Sequence, residues 1–279
     1  MALNSNSYYS NSIQGIPGAG VDVNIETVDA APRYPMGYMV ERADGNVYRY
    51  CHIGTATNAG NLVGPSTNGQ LTYTGAAVIA SASAVVVPQE YPILPGQVGS
   101  HYLQVTVASI AANKYQGGYL ITTGGTGLGQ TYRIVGNTAT GNPTTTTLYL
   151  QLNEALQTAI TVSTGIIIVQ SMFTDLAICP TSAATVTGVL MQTTTSVNQW
   201  GWVCTKGICG CAEDGTNTVV AGQQVMASGV VSGAYAAVAK SGSTLATNGL
   251  QNPIVGFNYT AAGATGNANR QGAIFVEME

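Results

Sequence analysis

The chain has 279 residues, of which only 20 are Asp, Glu, Lys or Arg while 35 are Gly, and its net charge is −4. An ordinary soluble domain has about a quarter of its residues charged, so this surface is built mainly from Thr, Ser, Asn, Gln, Ala and Gly. The balance excludes a basic footprint for nucleic acid, and the scarcity of ionisable groups argues for assembly against other subunits rather than for catalysis.

Residues 1–20 are polar and rich in Asn, Ser and Tyr, with neither the basic start nor the apolar stretch of a signal peptide. Residues 1–31 are too polar to form a core alone and read as an extended N-terminal arm. Its Tyr8, Tyr9, Ile13 and Ile16 are candidate contacts to an adjacent subunit, docking for instance as a strand added to a sheet edge. Within the arm, Val21-Asp22-Val23-Asn24-Ile25-Glu26 alternates apolar and polar, which predicts one short strand.

An N-terminal β domain is expected over 32–95. Met39–Arg42 and Val47–Tyr50 flank Asp44-Gly45, a strand–turn–strand pattern with residues suited to the positive φ of a tight hairpin. Tyr48 and Tyr50 then share one face, and Arg49 and Cys51 the other. The rhythm continues through Gly60–Val63 and an Asn68-Gly69 turn, while Ala76–Pro88 is ambiguous between helix and extended chain. Pro88, Pro92 and Pro95 make a stiff connection and place a boundary there.

A central β domain is expected over 96–173. Tyr102–Val107 alternates cleanly, and Tyr119–Thr122, Tyr132–Val135, Thr147–Leu152 and Ile166–Val169 follow as strands rich in β-branched or aromatic residues. A C-terminal small β-barrel is expected over 174–279, free to pack with the N-terminal domain. Its strands are Val189–Gln192, Trp200–Cys204, Val219–Met226, Ile254–Tyr259 and Ala273–Met278, with turns at Thr205-Lys206-Gly207 and Asp214-Gly215. The fold class is therefore all-β, two or three small barrels or sandwiches with an arm. No apolar run reaches the roughly 20 residues that span a bilayer, so a soluble protein made in a reducing cytoplasm is expected, with no membrane partner.

The candidate chemistry is sparse. Gly124-Gly125-Thr126-Gly127-Leu128-Gly129 lacks the following Lys and Ser or Thr of a phosphate loop and precedes a strand, so it reads as a turn. His52 and His101 lie 49 residues apart in separate blocks, and Cys51 points to the opposite strand face from its neighbour His52, so neither His reads as catalytic; Glu213-Asp214 reads as an exposed turn pair, and Glu277 with Glu279 as a solvated terminus. Asp22, Glu26 and Asp29 match no calcium-loop spacing and read as a strand's polar face. Five cysteines are present, and Cys204, Cys209 and Cys211 form a C-x4-C-x-C group. Its spacing matches no common zinc pattern, and small buried thiols are the better reading. Trp200 and Trp202, two apart on one strand with Cys204 on the same side, read as a core face or interface anchor, with sugar stacking as the alternative. No catalytic residue, metal site or cofactor is expected.

Several runs carry a resemblance. Tyr34-Pro35-Met36-Gly37, Val40-Glu41, Asp44–Tyr50 and Asn58–Val63 are similar to the N-terminal domain of virion structural proteins of marine tailed bacteriophages. Gln116–Leu120 and Gly125–Ile134 look like the central β domain of that group. Gly188-Val189, Gln199–Val203, Lys206-Gly207, Ala221–Val225 and Pro253–Phe257 resemble the small barrels of phage head decoration proteins. The resemblance implies a capsid-decorating, or cement, protein on the exterior of the virion, with the major capsid protein and further copies of itself as partners. A receptor- or glycan-binding fibre or appendage protein is the alternative. Cys204 and Cys211 depart from the pattern and inherit no role from it.

Overall fold

The computed structural model describes residues 23–66, 73–76, 93, 95–106, 110–139, 147–181, 185–215, 219–238, 253–259 and 271–278. Tyr8, Tyr9, Ile13 and Ile16, the Asn68-Gly69 turn and nearly all of the Ala76–Pro88 run lie outside them. Among the described residues there are sixteen strands and no helix, so the chain is all-β.

The chain opens with β1 (Met39–Glu41), β2 (Val47–Ile53) and β3 (Leu62–Pro65). Six strands follow: β4 (Tyr73–Ala76), β5 (Tyr102–Thr106), β6 (Tyr119–Gly124), β7 (Thr131–Asn137), β8 (Thr147–Leu152) and β9 (Gly165–Val169). The remainder are β10 (Leu176–Ile178), β11 (Gly188–Leu190), β12 (Gln199–Ala212), β13 (Gln224–Ala227), β14 (Tyr235–Ala237), β15 (Ile254–Asn258) and β16 (Gln271–Glu277).

These strands fall into two compact units, Met1–Gly69 with Met172–Glu279, and Gln70–Ser171. The first unit joins the expected N- and C-terminal blocks because their strands pair: β2 lies antiparallel to β12, and β3 lies between β10 and β11. The division falls at residues 69 and 70, not in the proline-rich connection, because β4 pairs with β9 and draws its neighbours into the second unit. The second unit is thus an insertion whose ends leave and return through the paired strands β3 and β10, where Ser66 N–H donates to the Asp175 carbonyl at 3.1 Å. Adjacent termini are what a self-contained insertion requires.

In the first unit, β2–β10–β3–β11–β12 closes on itself through the β2–β12 pairing. Inward residues from all five strands fill this small barrel: Cys51 and Ile53, Leu176, Val63, Leu190 and Val203. Closure removes the unpaired edges that an open sheet would expose. The sheet continues from β12 through β16, β15, β13 and β14, and a parallel bridge between Glu213 and Tyr235 brings β14 back beside the end of β12. Strand β12 therefore belongs to both halves. Its opposite face, with Tyr48, Tyr50, Val189, Trp202, Val225, Ile274 and Val276, forms a second core.

Three local expectations are corrected. Thr205-Lys206-Gly207 is not a turn but a bulge inside β12, where pairing with β2 shifts register between Cys204 and Lys206. The extra residue changes the alternation, so Trp202 and Cys204 before it and Cys209 and Cys211 after it face one core. Val23–Glu26 is not a strand. Asn24 Oδ1 accepts from Glu26 N–H at 2.9 Å and the Asn24 carbonyl accepts from Thr27 Oγ1 at 2.9 Å, local bonds that favour a turn while Val23 and Ile25 still bury. Glu213-Asp214 is buried rather than exposed, and Asp214 Oδ2 accepts from the Ser228 hydroxyl at 2.9 Å.

The second unit is a six-stranded antiparallel sheet in the order β4-β9-β6-β7-β8-β5. Its core takes alternate residues, such as Leu148, Leu150 and Leu152 from β8 and Ile166 and Ile168 from β9, with Tyr115, Leu156 and Ile160 closing it from loops. The glycine-rich run is the hairpin turn between β6 and β7.

Candidate functional site

On β16, alternation places Ile274 and Val276 in the core and leaves Ala273, Phe275 and Glu277 on the opposite face. The register aligns this outer face across three strands. Ile208 lies opposite Phe275, and Phe275 opposite Phe257. Ile208 is 42% exposed, Phe257 39% and Ile254 55%. Tyr259, whose N–H donates to the Ala273 carbonyl at 2.8 Å, is 65% exposed at the border of the same face.

Phe is rare in this chain, and two of the three, Phe257 and Phe275, stand in this one row. Lys206 and Glu277 lie opposite each other in register at one end of the face, and Gln224 lies opposite Phe257 on the next strand. Directly opposed side chains on a sheet lie about 4.5–5.5 Å apart at Cβ, so the row is a continuous apolar strip. Burying one such side chain fully contributes about 1.5–3 kcal/mol. An apolar centre with a polar rim is the anatomy of a protein–protein contact.

The two tryptophans lie elsewhere. Trp202 is fully buried, with Tyr50, Tyr34 and Tyr38 ring centroids at 5.1, 5.4 and 6.4 Å. Trp200 is half-buried and stacks on Tyr50 at 5.9 Å, with the His52 ring at 4.8 Å. Both pack with one core together with Cys204.

Around this aromatic cluster the fold assembles polar groups far apart in sequence. Asp29 exchanges both backbone hydrogen bonds with Trp200, at 2.8 and 2.9 Å. Its buried carboxylate meets Arg33 Nε at 2.8 Å and accepts from the Tyr50 hydroxyl at 2.9 Å, so the charge is compensated. Asp29 is therefore a buried anchor and not part of a strand's solvated face. Burial, and secondarily the Asp29 carboxylate, push the Tyr50 hydroxyl well above its ordinary pKa. His52 Nδ1 lies 2.8 Å from Asp175 Oδ1, a pair that sequence separation concealed. His101 is exposed, with Nδ1 3.3 Å from the Leu152 carbonyl.

All five cysteines are free and buried. A hydrogen bond that the Cys209 thiol donates to Cys204, and then burial, hold Cys209 far above the ordinary thiol range, and burial does the same for Cys51 and Cys211. Burial pushes Cys179 up to about 12. Protonated thiols are poor nucleophiles and poor metal ligands. Among the described residues no group of three or more His, Cys, Asp or Glu is arranged to hold a metal ion. Comparison with protein families, with curated protein sequences and with solved structures finds no match to this chain.

Proposed function

We propose that the chain is a structural virion protein that decorates a tailed-phage capsid and stabilises it by bridging major capsid subunits. The observation that carries the reading is the apolar strip Ile208–Phe275–Phe257 on an otherwise weakly charged surface. The sequence resemblance to head decoration proteins supplies the partner. In this reading the strip seats on a capsid subunit, and the low charge lets neighbouring copies approach without strong repulsion. A contact of about 1,600 Å² is an ordinary stable interface, and repetition over the lattice multiplies it, so each contact needs only modest affinity.

Copy number tests the reading. On a gel of purified particles the chain should approach the abundance of the major capsid protein. A scarce band would instead favour a fibre or appendage component.

A further inference from the structure

We propose that the inserted unit carries a binding site for a neutral saccharide, in the pocket where β7, β8 and β5 meet the 110–118 loop. This goes beyond capsid attachment and uses none of the residues of the apolar strip.

The site is built by an irregularity in β7. Pairing with β8 shifts register between Ile134 and Gly136, so Gly136 lies opposite Gln151 on the outer face of the sheet. A bulge beside a pocket is a recurrent device for re-aiming a strand. Gly136 has no side chain to fill the space, and a Cβ there would crowd Asn113 Oδ1 at 3.0 Å. Asn113 is held over this floor in the left-handed region, φ +58°, by its N–H donating to the Asn137 carbonyl at 2.9 Å. Asn137 in turn fixes the loop, its Oδ1 accepting from Tyr115 N–H at 2.8 Å and its Nδ2 donating to the Ala111 carbonyl at 3.0 Å.

The walls come from paired strands. Tyr102 lies opposite Gln151, and Gln104 opposite Tyr149, so these four side chains share the outer face of β5 and β8. Tyr102, Tyr149, Gln151 and Asn113 line a pocket of about 230 Å³ that has no charged residue in its lining. That is below the roughly 300–1,000 Å³ of sites for drug-sized ligands, which suits a single sugar ring.

The chemistry selects the ligand class. A pyranose has one face of C–H groups, which lies well on the negative face of a tyrosine ring. Its hydroxyls each donate and accept, matching the paired donors and acceptors of Asn and Gln amides. With no Lys, Arg, Asp or Glu in the lining, nothing recommends a charged sugar.

Saturation-transfer NMR on the full chain tests this with millimolar D-glucose, D-galactose, D-mannose and N-acetyl-D-glucosamine, each alone. Transfer to at least one of them is expected, lost in both Tyr149→Ala and Gln151→Ala. Gln151 is exposed, so its alanine variant keeps the fold and decides the matter alone if circular dichroism shows Tyr149→Ala unfolded. No transfer to any of the four sugars, or transfer that persists in a folded variant, overturns the proposal. Capsid attachment does not enter this readout, so the two readings fail separately.

Discussion

The side chain of Asn46 pairs with the backbone of Ile208 as a neighbouring strand would. Ile208 N–H donates to Asn46 Oδ1 at 2.9 Å, and Asn46 Nδ2 donates to the Ile208 carbonyl at 3.3 Å. The amide sits where the pairing of β12 passes from β2 to β16, beside Gly207 at φ +105°. One carboxamide thus satisfies backbone groups that the bulge would leave exposed.

Asn46→Ala should lower stability by about 0.5–1.5 kcal/mol, since two solvent-exposed backbone bonds are exchanged for bonds to water. Gly207→Ala should also destabilise, because its φ is unfavourable for a side chain and a Cβ would overlap Asn46 Oδ1. Combining the two should cost less than the sum, as the first removes part of that overlap. Urea midpoints of the four proteins measure this, and strict additivity would contradict the account of the bulge.

Trp202→Ala should cost about 3–5 kcal/mol, the range for deleting a large buried aromatic, and Trp200→Ala less because its ring is only half-buried. Denaturant titration followed by far-ultraviolet circular dichroism checks the order. An unchanged midpoint for Trp202→Ala would remove it from the core.

Stability should fall as pH rises above the ordinary thiol value of 9.0. Cys51, Cys179, Cys209 and Cys211 all have folded-state pKa values raised above it. Below that pH both states hold the thiol protons and the contribution is complete. Above it the unfolded chain releases them first and gains stability, at about 1.4 kcal/mol per pH unit for each thiol. Urea midpoints under reducing conditions should decline through this range, less steeply in Cys51→Ala. A flat profile would mean that the thiols are solvated.

Much of the fold is legible in the sequence wherever one face of a strand is buried and the other is not. Leu148, Leu150 and Leu152 alternate with polar or half-exposed neighbours, and β8 lies where that period places it. The bulge of β12 is hidden because Thr-Lys-Gly has turn chemistry whether or not the strand continues. The Val23–Glu26 pattern is equally silent about Asn24, whose side chain competes locally for the backbone.

The candidate strip shows the same division. Outward positions on β16 follow from period two, whereas β15 buries both Val255 and Gly256 between exposed Ile254 and Phe257, and the meeting of Ile208, Phe275 and Phe257 depends on register between segments distant in the chain. Likewise, Asp29 with Tyr50 and His52 with Asp175 come together only through tertiary pairing.

The central claim is that the strip is the surface that meets the capsid. Co-sedimentation with phage heads lacking this chain, comparing wild type with Ile208→Asp and Phe257→Asp, tests it most directly. Both side chains are substantially exposed, so each variant should keep its circular dichroism spectrum, while a charge buried in the contact would disfavour binding. The account predicts that wild type pellets with the heads at a copy number near that of the major capsid protein and that both folded variants stay in the supernatant. Wild type remaining in the supernatant, or the variants pelleting equally well, would contradict it.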